Sequence, residues 1–365
     1  GRQKTHNAPQ TSVDNVYAVG PRVSFDLDAF GGNKRRVEQQ AAFAELQKHR
    51  YEAAYLTLTG DVTSQAILIA SANAQMTAVQ NLLANDEKNL KLVHSAHASG
   101  STTQIDVSLA ETRLAQDKTL MPPLAQQRDA ARHALTILTG KGLGDWTPPA
   151  FEFAEFVLPA SVPVSLPSET ARNRPDVRQA ESALHMASAE VGIATANLYP
   201  HVELSAALTQ SASGNGGAAL WGLAAGLTAP IFNGGTLKAE RQAAVDGYKA
   251  TLASYQQTVI TSFGQVADTL QAINHDAEQF QAQDDALRSA QTSLRLNQQA
   301  YAQGENSILQ VLEAERAYEQ ALLGQIRVKT AQYLDTVRLF VALGGNSVGV
   351  FDQRADRHEM ATAAN

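Results

Sequence analysis

The feature that most constrains this chain is an internal copy. The segment AHASGSTTQIDVSLAETRLAQD (Ala96–Asp117) lies over AYAQGENSILQVLEAERAYEQA (Ala300–Ala321) without a gap. The two share an Ala-x-Ala-x-Gly start with Gly100 and Gly304, then Val107/Val311, Ala110/Ala314, Glu111/Glu315 and Gln116/Gln320. At the same offset Leu135 meets Leu339, Gly140 meets Gly344, and Val62 meets Val266. Further back, FGGNKRRVEQQAA (Phe30–Ala42) resembles FNGGTLKAERQAA (Phe232–Ala244) with a slip of a residue or two. Self-similarity at this scale means a duplicated half rather than a short solenoid repeat. Each half reads as an apolar stretch, a Gly-Gly corner, a long helical run, a glycine and a second helical run.

The helical runs are long. From Asn33 to Val93 only Gly60 is a strong breaker, and from Thr236 to Gln303 only Gly247 and Gly264. At 1.5 Å per residue, runs of roughly 60 residues reach on the order of 90 Å, which points to coiled coil or bundle. Leu287, Leu294, Tyr301 and Ile308 recur every seven residues, as a left-handed supercoil requires. In the second run of the first half, Pro122-Pro123 predicts a kink, because proline lacks the helical donor and clashes one turn back.

Three short segments read as strands. In VYAVGPRVSFDLD, Tyr17, Val19, Val23, Phe25 and Leu27 share one face, and Arg22, Ser24, Asp26 and Asp28 the other. HVELSAALT sets Val202, Leu204, Ala206 and Leu208 against Glu203, Ser205 and Thr209. WGLAAGLTAPIF sets Trp221, Leu223, Ala225, Leu227 and Ile231 against small residues, and the turn-forming QSASGNGGAA predicts a hairpin between the last two. Each strand has the length and alternation of a membrane strand. A half-buried sheet in a soluble domain has the same alternation. Pro21 falls inside the first strand, where proline is disfavoured except at an edge or bulge. A few such strands cannot close a barrel, and an open edge in lipid leaves unpaired amides at several kcal/mol each. If they face lipid, several copies share one barrel, and the helices continue its wall as a conduit.

The proline-rich stretch from Asp145 to Arg174 is a linker, and a helix with an apolar face at Val177, Ala180, Leu184, Ala187, Val191 and Ala194 begins near Pro175. Arg174, Pro175 and Asp176 read as a lock at the start of that helix, with a carboxylate near the positive end of the helix dipole. The segments are then a strand region 1–29, a helical hairpin 30–144, the linker 145–175, a helix 176–199, a strand hairpin 200–232, a second helical hairpin 233–345 and a flexible tail 346–365.

Composition removes other classes. The net charge of −7, with both signs interspersed, argues against a nucleic-acid surface. No apolar run reaches the roughly 18 residues of a membrane-spanning helix. The absence of cysteine excludes disulfides and thiolate metal sites. No phosphate-binding glycine loop, His-Glu-x-x-His or Gly-x-Ser-x-Gly is present, and His94 and His97 have no carboxylate at helical spacing to complete a metal site. The expectation is no enzyme, no cofactor and no metal.

FDLDAFGGNKRRVEQQ, SETARNRPDVRQAESALHMASAEVGIATANLYPHVELSAA, GLTAPIFNGGTLKAERQAAV and AYAQGENSILQVLEAERAYEQA together resemble the TolC family of outer-membrane efflux proteins, in its NodT/OprM-like subgroup. The Arg174-Pro175-Asp176 segment with Glu181 and Pro200, and the corners at Gly31-Gly32 and Gly234-Gly235, carry it most specifically. The resemblance covers about Val16 to Gly345. It implies a mainly α fold with a β-barrel portion, in which long antiparallel coiled-coil hairpins continue from membrane β-strands. It implies a homotrimer with one twelve-stranded barrel in outer-membrane lipid, an α-helical periplasmic tunnel, a periplasmic adaptor, and an inner-membrane pump of the RND, MFS or ABC type. Members start with a signal peptide, usually with a lipidated cysteine, and a first strand; their absence predicts an N-terminally truncated chain with three strands of four. The family's constriction falls on Leu309 and Glu313, with Gln310 and Tyr301 beside them and Asp106 in the first repeat. Three copies of Glu313 around one axis would attract cations and resist ionisation. The implied function is the exit duct for drugs or other small molecules. A type I protein-secretion duct, a periplasmic coiled-coil adaptor or scaffold, and a cytoplasmic helical structural protein are the alternatives.

Overall fold

The computed structural model describes residues 17–159, 173–213 and 216–345. The N-terminal GRQKTHNAP, much of the proline-rich linker, the tip of the strand hairpin and the tail 346–365 lie outside them. The chain divides into two compact units, one of residues 1–48 and 179–256, the other of residues 49–178 and 257–365.

The first unit holds the sheet. β1 (Tyr17–Val19) and β2 (Arg22–Asp26) both run antiparallel to β3 (His201–Ser213). Val19 pairs with Gln210 and Arg22 with Ala207, so one register runs through the break at Gly20-Pro21. The Pro21 carbonyl still accepts from the Leu208 amide at 3.0 Å; only the donor that proline lacks is missing from the ladder. On the other edge β4 (Gly216–Thr228) pairs with β3 from Ser213↔Gly216 to His201↔Thr228. This register sets Phe25, Leu204 and Ala225 side by side, and likewise Val23, Ala206 and Leu223. The apolar faces of all three segments therefore lie on one side of the sheet. Ser24, Ser205 and Ala224, and Asp26, Glu203 and Gly226, lie on the other.

Two corners lead from strands into helices. After β2, Asp28 accepts the amides of Asn33 at 2.7 Å and Lys34 at 2.8 Å, capping α1 (Gly32–Ala98). After β4, the Asn233 side chain accepts the Gly235 amide at 3.2 Å ahead of α5 (Thr236–Ala302). Gly31, Gly234 and Gly235 take positive φ there, which side chains resist. Gly32 does not; it is a close-approach position, where an added Cβ would lie 3.3 Å from Ala196. Ala196 ends α4 (Pro175–Ala196). Tyr199, next to Pro200, stacks on Phe30 with ring centroids 4.7 Å apart.

The buried stripe of α4 differs from the expected one. Val177 and Ala194 are buried, but Ala180, Leu184, Ala187 and Val191 are only half-buried, while Ser182, Ala189, Ile193 and Ala196 are buried. At 3.6 residues per turn, Ser182, Ala189, Ile193 and Ala196 lie on the face opposite the one that the apolar spacing marked.

The second unit is helical. α2 (Gln104–Lys118) and α3 (Met121–Leu138) return from α1, and α6 (Ile308–Ala342) returns from α5. α1 and α5 are each 67 residues long and displaced by 204 positions, Gly32 to Thr236 and Ala98 to Ala302. The same displacement relates the start of α2 to that of α6 and the end of α3 to that of α6. It also relates the caps: the amides of Gly100 and Ser101 bond back to His97 and Ala96, and those of Gly304 and Glu305 to Tyr301 and Ala300. Gly140 and Gly344 repeat this at the other helix ends.

The copies part at Pro122-Pro123. The expected kink is a full break: α2 ends, and Thr119 and Leu120 bond back only three residues. Pro122 and Pro123 cannot donate to Lys118 and Thr119, so the helix restarts with both prolines in its first turn. α6 runs unbroken past the matching positions.

The core sits on α1, α3 and α6. Ala78, Val79, Leu124 and Leu323 form one cluster, and Ile69, Ala131 and Leu135 another, which Trp146 and Phe151 of the linker cover. Thr330 donates to the Ser71 hydroxyl at 2.7 Å inside this packing. Gly60 admits Val341 so closely that an added Cβ would lie 2.7 Å from it. On α5 the buried residues are only Ser262 and Asp276. The heptad Leu287, Leu294 and Ile308 is half-buried and Tyr301 exposed, a supercoil seam that this chain leaves partly open.

Candidate functional site

The hairpin ends carry the residues of the expected constriction. Gly100 and Gly304, at φ of +76° and +75°, turn the chain from α1 into α2 and from α5 into α6. Nothing lies within 4 Å of where their Cβ atoms would be, so the left-handed backbone alone requires glycine.

The two copies start their second helices differently. Thr103 caps α2: its hydroxyl accepts the Asp106 amide at 3.4 Å, and its own amide donates to the Asp106 carboxylate at 2.8 Å. Asp106 thus closes a capping box, and the Thr103 amide and hydroxyl hold its carboxyl below the usual range. At α6, Ser307 occupies the cap without a side-chain bond, and Gln310 stands where Asp106 would. Gln310 and Tyr301 are exposed, and Leu309 is half-buried.

Glu313, 63% exposed at its side chain, forms an ion pair with Arg113 of α2. Asn89 of α1 donates to Glu315 of α6 at 3.0 Å. The two hairpins are therefore tied to each other close to their ends. Of the expected constriction residues, Glu313 is the one so engaged; Asp106 turns back on its own helix. Arg113 and Asn89 escaped sequence reasoning. The signal for Arg113 was there, since Ala317 occupies the matching place in the other copy.

Arg174 is 7% exposed and joins three segments. Nε and Nη2 donate to Asp176 at 3.0 and 2.7 Å, Nη2 also to Gln265 of α5 at 2.7 Å, and Nη1 to the Ala342 carbonyl at the end of α6 at 2.8 Å. Gly344 packs against this joint, where an added Cβ would lie 3.0 Å from the Asn173 carbonyl oxygen. Burial pushes the Asp176 carboxyl up, but the Arg174 hydrogen bonds and charge outweigh it and hold it below the usual range. Glu181 is exposed.

Among the described residues no group of His, Asp and Glu side chains is arranged to hold a metal ion. No helix of the described residues is long and apolar enough to cross a membrane. The strands are different. Val23, Trp221 and Leu223, on the apolar side of the sheet, are 65, 78 and 76% exposed. A soluble sheet would bury that side on a core.

A sheet with one bare apolar side and one polar side, leading through glycine corners into duplicated long helices, defines a TolC-like outer-membrane channel subunit. The family model for outer membrane efflux proteins matches residues 1–141 and 166–345. The chain is 30% identical over 339 residues to the pyoverdine export outer membrane protein OpmQ of Pseudomonas aeruginosa, covering 92% of this chain and 71% of that one. It is 29% identical to the toluene efflux pump outer membrane protein TtgI of Pseudomonas putida, over 91% of this chain and 72% of the relative. The outer-membrane channel OprN has the same fold, with a TM-score of 0.80 at 24% identity over 91% of this chain and 81% of that one. So does the open MtrE channel of Neisseria gonorrhoeae, with a TM-score of 0.80 at 24% identity over 91% and 80%. The chain belongs to the outer membrane efflux protein family, and its place is the outer membrane.

Proposed function

We propose that the protein is the passive exit duct of a tripartite efflux system, working as a homotrimer with a periplasmic adaptor and an inner-membrane pump. The observation that carries this reading is the bare apolar side of the β1/β2–β3–β4 sheet. Exposed apolar strands with unpaired outer edges are stable in a bilayer only in a closed barrel, and further copies of the chain would complete one. The same copies would cover the open heptad seam of α5. Relatives named for pyoverdine, toluene, solvents and antibiotics support a small-molecule cargo. The duct carries out no catalysis, and the pump supplies the energy.

Three subunits would bring six hairpin ends to one ring, with Leu309, Gln310, Glu313 and Tyr301 at the aperture. Opening would move the second hairpin relative to the first, which strains the Arg113–Glu313 tie. Planar-bilayer recordings of the full-length protein carrying Leu309→Ala and Glu313→Ala together test this. Single-channel conductance is expected to rise; unchanged conductance would remove these residues from the aperture. Loss of drug export by the deletion strain, restored by the gene, tests the duct reading itself.

A further inference from the structure

α2 is weakly held. It has 15 residues, is bounded by the Gly100 turn and by the break at Thr119-Leu120, and buries only Val107, Leu114 and Asp117. One of its three anchors is therefore a carboxylate, 7% exposed. Asp86 of α1 and Asp117 line one small pocket together with Arg113 and Arg316, and Asp86 Oδ2 has no hydrogen-bond partner. Glu319 of α6 is 5% exposed, and its Oε2 is likewise without a partner. Asp86 interacts with both other carboxyls.

Charges of both signs surround these acids, with Arg316 and Arg327 of α6 lining a cavity beside Asp117. Facing them are Glu315 and Arg316 of α6 and Arg113 of α2. Arg113 is taken by Glu313, which leaves Arg316 as the cation acting on Asp86. α5 meets this length of α6 through Gln283, which donates to the Ala321 carbonyl, and Asp284, which accepts from Gln325. The cavity beside Asp117, lined also by Arg316 and Arg327, measures about 250 Å³.

The duplication shows that the fold does not need these acids. At the matching positions of the other copy, Asp86 is replaced by Ala290, Asp117 by Ala321, and Glu319 by Ala115. The repeat thus replaces with alanine all three carboxyls, two of which line one pocket and the third of which acts on Asp86 by its charge, beside a helix break that the repeat also lacks.

We propose that Asp86, Asp117 and Glu319 form a proton-operated catch that fastens α2 to α1 and α6, holding the helix at acidic pH and releasing it as pH rises. Burial, then the charge of Glu315 and of Asp86, pushes the Glu319 carboxyl up to about 7. Burial, then Asp117, pushes Asp86 up to about 6. Packed α2 thus binds protons more tightly than released α2. The catch is fully present below the ordinary carboxylate range and is lost as pH rises through 6 to 7. A carboxyl moved from 4.5 to about 7 shifts the packed-to-released ratio by roughly 10²-fold between pH 4.5 and 7.

These 365 residues hold no cysteine, and any cysteine elsewhere in the full-length protein is replaced by serine before labelling, so one spin label reports on one site. In the full-length protein, a label at exposed Ser108→Cys on α2 is followed by electron paramagnetic resonance from pH 5 to 8.5. A label at Ser289→Cys on α5 is the control. The α2 label is expected to gain mobility with a midpoint between pH 6 and 7, and the control to stay constant. Glu319→Gln, and separately Asp86→Asn, should keep α2 immobile at pH 8 or move the midpoint. A flat α2 profile in the parent protein, or a midpoint that both variants leave unmoved, overturns the catch. The label reads the helix directly, so the outcome does not depend on whether the protein conducts.

Discussion

Replacing Arg174 by alanine removes four hydrogen bonds at once. Two go to Asp176, one to Gln265 and one to the Ala342 carbonyl. Breaking a buried ion pair by deleting one partner costs about 3–5 kcal/mol. Asp176 keeps 44% of its side chain exposed, so water takes over part of its solvation and the lower end applies, about 3 kcal/mol. Lysine places one ammonium where the guanidinium fork reached four acceptor atoms on three residues, so Arg174→Lys should recover about half of that. Unfolding of the detergent-solubilised full-length protein in denaturant, followed by helical circular dichroism, measures both. The pH dependence follows from Asp176. Its depressed carboxyl contributes stability above the ordinary carboxylate pKa, near 4, and loses it as pH falls through the lower folded value. The difference between parent and Arg174→Ala should therefore narrow below pH 4. A loss under about 0.5 kcal/mol, the level of an ordinary surface change, or full recovery by lysine, would refute the lock.

The same reasoning ranks other positions. Gly140→Ala and Gly344→Ala both force a side chain into positive φ, at about 1–2 kcal/mol, but only Gly344 also meets a neighbouring backbone, so its cost in unfolding experiments should be clearly the larger. Thr103→Ala opens the capping box and should cost about 1 kcal/mol, whereas Ser307→Ala, at a cap without a side-chain bond, should cost measurably less. Gly60→Val places a branched side chain against Val341 and should cost about 1–3 kcal/mol of overpacking; tolerance in a thermal melt would mean that α1 and α6 are not closely packed there.

The sequence alone determined the parts that depend on local rules. The repeated glycines Gly100 and Gly304 marked the helix ends because only glycine occupies the left-handed backbone there without strain. Alternation within each strand set its two faces, since the pleat forces every second side chain to one side. Long runs without proline or paired glycines meant long helices. Wherever packing decided, the reading fell short. The buried stripe of α4 runs through Ser182, Ala189, Ile193 and Ala196, opposite the face that the apolar spacing marked, because the elements packed on a helix decide which face is buried. The prolines after α2 broke the helix instead of bending it, since two successive donors are missing. Above all, tertiary structure chose among the charges. Asp106 serves its own helix cap, Glu313 pairs with Arg113, and Asp86 and Asp117, 31 residues apart, line one pocket. A carboxylate at the surface and one in the wall of a helix bundle look alike in a sequence. Only the neighbours that the fold brings to each decide which stays charged and which holds a proton.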